Sequence, residues 1–133
     1  MVFTASHSCY AGVVVDYLDP KRELIAHRLF RDHCVQTEEG MFIKDLRVLG
    51  ERKLSKTLII DNAAYSFGFQ IDNGVPCLPF YNNKKDQELR SFTEYAKHLA
   101  GLEDMVGFNR NYFKLFMYKQ AANLDILKEK IGL

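Results

Sequence analysis

The sequence has little net charge, few cysteines and no long apolar run. Its 18 basic and 17 acidic residues leave a formal net charge of +1, so no global field points to nucleic acid or to a membrane surface. The three cysteines form no Cys-x-x-Cys pair, which favours reduced thiols inside a cell over a disulfide framework. No apolar run approaches the ~20 residues needed to span a bilayer, and the N-terminus shows no secretory signal.

The length and composition favour a single packed domain. A chain of 133 residues suits one domain, and a hydrophobic content of 47% with 13% aromatics is enough for a core. Strand patterns alternate with helix patterns along the chain, which predicts an α/β fold.

Apolar periodicity predicts two amphipathic helices. One runs from about Ser8 to Leu18, with Ser6 or Ser8 as its cap. The other surrounds Phe92 to Leu99, with Asp86 as its cap. Both patterns place an apolar stripe on one side of the helix, as expected where a helix packs on a core.

Short strands are predicted between these helices. The continuous apolar run at 57–60 is typical of a parallel strand that is buried on both faces. Residues 34–36 and 41–43 flank a turn and predict a hairpin. Residues 27–30 and 74–78 predict two further strands, the second at a sheet edge because Pro76 cannot donate to a ladder.

The C-terminal part of the chain mixes aromatic and basic residues at 108–118. Such a segment could stack on nucleic acid, but the small net charge favours a packing role. Beyond it, Leu124, Leu127 and Ile131 form an apolar stripe, which we expect to dock on the domain or on a partner helix.

Polar side chains follow several of the predicted strands. Asp61 and Asn62 come directly after the apolar run, Thr4 and Ala5 follow a strand-like start, and Lys44 follows the hairpin. Taken singly, Asp61-Asn62 reads as a turn, Lys44 as a surface charge and Thr4 as a β-branched strand residue. In an open α/β sheet, however, ligands bind at the carboxyl ends of the strands.

Together these residue types predict a site for a phosphate group and a magnesium ion. The Thr4 hydroxyl, the Ala5 backbone N–H and the Lys44 ammonium would bind phosphate oxygens. Asp61 and Asn62 would hold Mg²⁺, which prefers oxygen ligands. Phosphoryl transfer also needs a nucleophile in line, and none of these residues supplies it.

Five ordered motifs then carry a resemblance. They are FTAS at 3–6, HRLFRDHC at 27–34, IKDL at 43–46, IIDNA at 59–63 and DNGVP at 72–76. The chain resembles the catalytic domain of the small C-terminal-domain phosphatases, the FCP-type (NLI-interacting-factor-like) branch of the haloacid dehalogenase superfamily. The resemblance implies a haloacid-dehalogenase-like, Rossmann-like parallel sheet with a β-hairpin insertion. The domain would occupy residues 1–104, and residues 105–133 would form a C-terminal helical extension.

The resemblance also implies an activity and its residues. Thr4 would bind the phosphoryl group, Lys44 would neutralise it and the nucleophile, and Asp61 would be a magnesium ligand with Asn62 beside it. The activity would be magnesium-dependent removal of phosphate from phosphoserine or phosphothreonine in a phosphoprotein or phosphopeptide, with the tail of RNA polymerase II as one substrate class. The protein would then be nuclear or cytoplasmic, and the hairpin would shape access of the peptide.

The family's DxDxT motif does not occur in this sequence. The resemblance implies that this motif supplies the aspartyl nucleophile, the acid/base, one magnesium ligand and the first, central strand of the sheet. We therefore predict a truncated chain that is inactive as given, with strand edges open to a missing N-terminal segment or to a strand-exchanged oligomer. The alternatives are a catalytically inactive phosphopeptide- or protein-binding module on the same fold, or the product of a truncated gene that does not fold.

Overall fold

A computed structural model describes residues 1–118 of the chain. The strands are β1 (Val2–Phe3), β2 (Arg28–Leu29), β3 (Val35–Gln36), β4 (Phe42–Ile43), β5 (Ile59–Asp61) and β6 (Gly74–Pro76). The α-helices are α1 (Ser8–Leu18), α2 (Glu88–Ala100) and α3 (Met105–Phe113). Shorter 3-10 helices span Arg31–His33, Leu46–Leu49, Leu54–Lys56 and Ala64–Asn73. Among residues 1–118, no helix is long and apolar enough to cross a membrane.

The six described strands form three pairs. β1 pairs with β2 and β5 pairs with β6, both in parallel, whereas β3 and β4 form an antiparallel hairpin. The small parallel pairs and the helices are compatible with the predicted α/β fold, and the predicted hairpin is confirmed. The haloacid-dehalogenase-like arrangement and the absent central strand stay predictions.

A cavity of about 220 Å³ lies between the two parallel pairs. Met1 and Phe3 line it beside β1, and Leu58, Ile59 and Ile60 line it beside β5. β1 and β5 belong to different two-stranded sheets. Within residues 1–118, each of these two strands is hydrogen-bonded to a neighbouring strand on one side only.

The apolar run at 57–60 is a shorter strand than the sequence predicts. β5 begins at Ile59 and includes Asp61. Ile59 is buried, but Ile60 is 43% exposed, so the prediction of burial on both faces is wrong for the described residues. Ile60 borders both the cavity beside β1 and an open groove beside α2, which explains its exposure.

α1 has the predicted bounds, but its cap is different. The N-cap residue is His7, and no side chain caps the helix. The backbone carbonyl of His7 accepts from the N–H groups of Tyr10 and Ala11. Ser6 precedes the N-cap and lies in a turn in which its N–H donates to Oγ1 of Thr4. Ser8 is the first residue of the helix, so neither predicted cap is correct.

The apolar stripe of α1 is mostly exposed. Tyr10, Val13 and Tyr17 have exposed fractions of 66%, 70% and 85%, whereas Ala11 and Val15 are buried. The helical periodicity therefore predicted the bounds of α1 correctly, but it did not predict which face of α1 packs against the core.

Helix α3 packs on β6, and α2 packs on α3. Asn109, which is buried on α3, donates to the carbonyl oxygens of Asp72 (2.7 Å) and Gly74 (2.9 Å). The hydroxyl of Tyr95 on α2 donates to Oδ1 of Asn109 at 2.9 Å. This network supports the packing interpretation of the aromatic segment. The stripe of Leu124, Leu127 and Ile131 lies outside the described residues, and the boundary at residue 104 stays a prediction.

Candidate functional site

The predicted site residues lie together in one cleft of about 450 Å³, which we call the Thr4 cleft. It is lined by Thr4, Ala5, Ser6, Glu39, Gly40, Met41, Phe42, Lys44, Asp61, Asn62, Ala63, Tyr65 and Ser66. Thr4 directly follows β1, Lys44 directly follows β4, and Asp61 is the last residue of β5. The ends of three strands therefore bring distant residues to one place.

A tight turn presents the Thr4 hydroxyl. The N–H of Thr4 donates to the carbonyl of Leu29 (2.9 Å), which extends the β1–β2 pairing by one residue. Oγ1 of Thr4 accepts from the N–H of Ser6 at 3.1 Å. A hydroxyl that accepts in this way still has its own hydrogen free to donate, so Thr4 can donate to a phosphate oxygen.

Lys44 and Asp61 form an ion pair in which Nζ donates to Oδ2. The two side chains are only 12% and 9% exposed. The backbone N–H of Lys44 donates to the carbonyl of Ser66 at 2.6 Å, which ties the end of β4 to the helix that follows β5. A partly buried ammonium thus faces the Thr4 cleft from a fixed backbone position.

The carboxylate of Asp61 is oriented by a second contact as well. Its Oδ1 accepts from the N–H of Ala63 at 2.8 Å, so the carboxylate is held at the strand end, and Asn62 is exposed beside it at the edge of the cleft. Mg²⁺ commonly takes one or two protein carboxylates together with waters and substrate phosphate oxygens. Asp61 offers one carboxylate of this kind, and Asn62 offers a neutral amide oxygen. Residues 1–118 contain no group of three or more His, Cys, Asp or Glu side chains that could hold a metal.

The residue after Lys44 anchors the loop. Asp45 accepts from the N–H and guanidinium of Arg47, and Gln70 donates to its Oδ1 at 3.0 Å. The hydrogen bond from the Arg47 side chain lowers the pKa of Asp45 to about 2. Gln70 also accepts from the N–H of Leu46 at 2.9 Å. The peptide that carries Lys44 is therefore fixed on its C-terminal side.

Arg31 is not one of the residues that line the Thr4 cleft, but it holds the backbone of two that do, and sequence reasoning did not single it out. Its Nε donates to the carbonyl of Ala5 (2.6 Å) and its backbone N–H donates to the carbonyl of Ser6 (3.0 Å). Its guanidinium lies 4.7 Å from the ring centroid of Phe42 and 2.8 Å from Nε2 of His7. Arg31 lies two residues beyond β2, which pairs with β1 in parallel. A sequence prediction of that pairing would have been needed to predict the contact between Arg31 and Ala5.

The hairpin contributes one wall of the Thr4 cleft. Residues 39–42, which connect β3 to β4 and begin β4, line the cleft opposite the strand ends. Glu39 adds a carboxylate to this wall, and Met41 is 40% exposed. The structure therefore brings the hairpin to the site, whereas the effect of the hairpin on peptide access stays a prediction.

The roles of Thr4, Ala5, Lys44, Asp61 and Asn62 in phosphate or metal binding also stay predictions.

Comparisons with known proteins identify the family. Residues 1–106 match the family model of the NLI interacting factor-like phosphatases. CTD small phosphatase-like protein 2 of Dictyostelium discoideum is 40% identical over 122 residues, which are 92% of this chain and 21% of that protein. CTD small phosphatase-like protein 3 of Caenorhabditis elegans is 43% identical over 102 residues, 77% of this chain and 35% of that protein.

A human phosphatase is similar to the chain over a comparable range. Carboxy-terminal domain RNA polymerase II polypeptide A small phosphatase 1 of Homo sapiens is 39% identical over 105 residues, 79% of this chain and 39% of that protein. The chain thus spans between about a fifth and two fifths of the length of these relatives. With the family match covering most of its length, the chain belongs to the NLI interacting factor-like phosphatases.

Proposed function

We propose that this chain carries the phosphate-binding half of a protein serine/threonine phosphatase that acts on phosphoproteins. The convergence of Thr4, Lys44 and Asp61 in one cleft is the observation that carries the proposal. The names of the relatives point to the C-terminal domain of RNA polymerase II. A phosphorylated protein tail of that kind is therefore the proposed substrate class, and it would place the protein inside the cell, in the nucleus or cytoplasm.

Each residue of the Thr4 cleft has a distinct proposed task. The Thr4 hydroxyl and the N–H of Ala5 donate to non-bridging phosphate oxygens, and Lys44 brings a positive charge to the same group. Lys44 must exchange part of its contact with Asp61 for the phosphate, and both groups are already partly desolvated. Because screening by water is weaker at such a position, the attraction between ammonium and phosphate is stronger than at the protein surface.

Magnesium enters this proposal through Asp61 and Asn62. When bound, the ion would neutralise charge on the phosphoryl oxygens. Asp61 is suited to a ligand role because its carboxylate is held by Ala63 and Lys44 on a strand end. The Asn62 side-chain oxygen is the second ligand that we propose from this chain.

We further propose that the nucleophile comes from outside this sequence, on a strand between β1 and β5. The cavity of about 220 Å³ between these strands supports that position. A parallel strand there would pair with both, and it would end at the Thr4 cleft, as β1 and β5 do. Without it, we expect the 133-residue chain not to form a phosphoaspartate. If the free edges of β1 and β5 instead paired with those of a second copy of the chain, a strand-exchanged oligomer would form.

The test compares the chain alone with the chain joined at its N-terminus to the DxDxT segment of a relative. Release of phosphate from a phosphoserine peptide is measured with and without Mg²⁺. We expect turnover only for the joined protein and only with Mg²⁺, and a Lys44→Ala variant of it should lose turnover. Magnesium-dependent turnover by the chain alone would contradict the proposed inactivity, and inactivity of a folded joined protein would contradict the phosphatase proposal.

A phosphopeptide-binding module without turnover is the second proposed function. It is favoured by the composition of the Thr4 cleft: among the described lining residues the carboxylates are Glu39 and Asp61, and Asp61 is engaged by Lys44 and Ala63. Binding groups for phosphate are therefore present beside a carboxylate that is not free to attack. Tight phosphopeptide binding by the folded joined protein, without turnover, would select this function.

A further inference from the structure

An apolar depression of about 520 Å³ lies where the 3-10 helix Ala64–Asn73 faces the end of α3. We call it the Tyr65 groove. Its described lining residues are Ala64, Tyr65, Gly68, Ile71, Leu115 and Tyr118. The surface of the groove is mainly apolar, and Tyr65 and Tyr118 are 55% and 75% exposed. The groove therefore presents apolar surface that an apolar occupant would remove from water.

The chain itself leads into the Tyr65 groove. Helix α3 ends at Phe113, and the next residue, Lys114, has a φ of 52° in the left-handed region. A turn follows, in which the N–H of Tyr118 donates to the carbonyl of Leu115 at 3.1 Å. Leu115 packs against the hydrophobic core, and both Leu115 and Tyr118 line the groove. The segment that comes after Tyr118, residues 119–133, therefore starts at the groove itself.

A second set of contacts holds the two walls of the groove together. Arg110 on α3 donates to Oδ2 of Asp72 at 2.5 Å, and its guanidinium lies 3.8 Å from the ring centroid of Phe116. Asp72 belongs to the 3-10 helix that forms one wall, and Phe116 belongs to the turn that forms the other. The start of the C-terminal segment is therefore fixed relative to the groove.

The sequence of residues 119–133 fits an apolar surface. Leu124, Leu127 and Ile131 are separated by three and four residues, a spacing that places them on one side of a predicted helix. No proline or glycine interrupts residues 119–131. The charged residues between and beside the apolar ones are Asp125, Lys128, Glu129 and Lys130. The sequence thus predicts an amphipathic helix, which needs an apolar surface to cover its apolar side.

Another apolar groove, of about 480 Å³, lies beside α2. Its described lining includes Ile60, Phe92 and Lys97 but no residue of α3 or of the turn after it. The chain enters the Tyr65 groove directly, and a ligand tethered beside its site is present at an effective concentration on the order of millimolar. The position of Tyr118 therefore favours the Tyr65 groove over the groove beside α2.

We propose that residues 119–133 dock in the Tyr65 groove of the same chain, with Leu124, Leu127 and Ile131 against its apolar surface. The tether removes part of the entropic cost that a separate molecule would pay on binding. Tyr65 also lines the Thr4 cleft, so the docked segment contacts a residue that borders this cleft. The docking needs no ligand in the Thr4 cleft and is therefore independent of the proposed phosphatase function.

Amide hydrogen exchange in the full 133-residue chain, followed by NMR, tests the docking. Gly68→Gln places a polar side chain in the groove without a clash, because a Cβ at position 68 meets no atom within 4 Å. We expect the amides of residues 124–131 to exchange about tenfold faster in this variant, since docking protects them. Gly12→Gln on α1 is the matched control. Its Cβ position is equally open and it does not line the groove, so exchange should not change.

A peptide with the sequence of residues 119–133 provides a second test. The labelled peptide is added to a full-length variant in which Leu124, Leu127 and Ile131 are all replaced by serine, and binding is measured by fluorescence anisotropy. We expect the peptide to bind this variant and to bind the unchanged chain at least about tenfold more weakly, because the chain's own segment then occupies the groove. Adding Gly68→Gln to the serine variant should abolish binding.

Three results would overturn the proposal. Equal exchange rates in the unchanged chain and in a folded Gly68→Gln variant would mean that the segment does not dock in the Tyr65 groove. Protection that increases with protein concentration would assign the groove to the segment of a second copy of the chain. Equal binding of the peptide to the unchanged chain and to the serine variant would show that the chain's own segment does not occupy the groove.

Discussion

The ammonium of Lys44 donates to the carboxylate of Asp61, and the pair joins the end of the β3–β4 hairpin to the end of β5. Both side chains are nearly buried. Removing one partner of a buried pair leaves the other charge uncompensated in a poorly solvated place, whereas removing both partners does not. The pair therefore has a structural effect that must be separated from its proposed role in binding phosphate.

A pair of variants makes that separation. Lys44→Met should lower the free energy of unfolding by about 3 kcal/mol, because it leaves the carboxylate of Asp61 without a counter-charge in a poorly solvated place. Lys44→Met combined with Asp61→Leu should recover most of this loss, since no charge is then left unpaired. Phosphopeptide binding should be lost in both variants. Urea unfolding and anisotropy measure the two effects independently.

The exposed pair of Lys97 and Glu94 provides the control for these variants. Its side chains are 68% and 78% exposed, so Lys97→Met should change stability by less than about 0.5 kcal/mol and leave binding intact. Recovery of phosphopeptide binding in the double variant would contradict a direct role of Lys44 in the Thr4 cleft.

Arg31 should act on phosphate binding by positioning Ala5. Arg31→Lys keeps the positive charge but loses the planar fork that contacts Ala5, His7 and the ring of Phe42 together. We expect phosphopeptide affinity to fall by about three- to tenfold, as the loss of one or two hydrogen bonds implies. The free energy of unfolding should fall by only about 1 kcal/mol, because the backbone N–H of Arg31 keeps its hydrogen bond to the carbonyl of Ser6.

The matched control for this variant is Arg90→Lys on the exposed face of α2. It should leave affinity unchanged. If Arg31→Lys bound phosphopeptide as tightly as the unchanged chain, the turn from Thr4 to Ser6 would be held by its own hydrogen bonds, and the positioning role would be wrong.

Local patterns in the sequence were sufficient for the hairpin, for the bounds of α1 and for the convergence of the cleft residues. The hairpin and the helix bounds depend on short-range rules, namely turn residues between two apolar runs and helical spacing. The convergence was predicted from the rule that ligands bind at the carboxyl ends of the strands in an open α/β sheet. The cleft residues come together because Thr4, Lys44 and Asp61 each follow a strand or end one. The roles of these residues are not tested by their proximity.

Long-range contacts could not be predicted in the same way. Asn73 reads as a turn residue before Gly74, yet it is buried, and its amide donates to the carbonyls of Leu54 and Thr57 at 2.7 Å each. Arg31 reaches Ala5 across the β1–β2 pair. Neither contact has a local signal, because each depends on which segments become neighbours only after folding.

Gly74 should be intolerant of any side chain. A Cβ at this position would lie 2.0 Å from the ring of Phe67, which is fully buried. Gly74→Ala must therefore displace the ring or β6, and we expect a loss of about 2–3 kcal/mol in the free energy of unfolding. Gly68→Ala is the control because no atom lies within 4 Å of its Cβ position, so its effect should stay within about 0.5 kcal/mol. Equal stabilities of the two variants in urea unfolding would refute the close approach of Phe67 to β6.

Asp45 should make the stability of the chain depend on pH in the acid range. Hydrogen bonds from the side chain of Arg47, from the backbone N–H of Arg47 and from the side chain of Gln70 lower the pKa of Asp45 from 3.8 to about 2. The unfolded chain therefore takes up this proton at a higher pH than the folded chain does. The stabilisation from the carboxylate is fully present above pH 3.8 and is lost as the pH falls towards about 2.

Asp45→Asn removes this titration. At pH 6 the variant should be less stable by about 1.5–3 kcal/mol, the range expected for a hydrogen bond to a charged group, and the difference from the unchanged chain should shrink as the pH falls from 5 to about 2. Urea unfolding at several pH values measures it, with exposed Asp32→Asn as the control. A difference that is constant across this range would mean that Asp45 acts by shape alone. Because Asp45 also fixes the peptide that carries Lys44, a loss of phosphopeptide affinity in Asp45→Asn at pH 6 would connect this network to the Thr4 cleft.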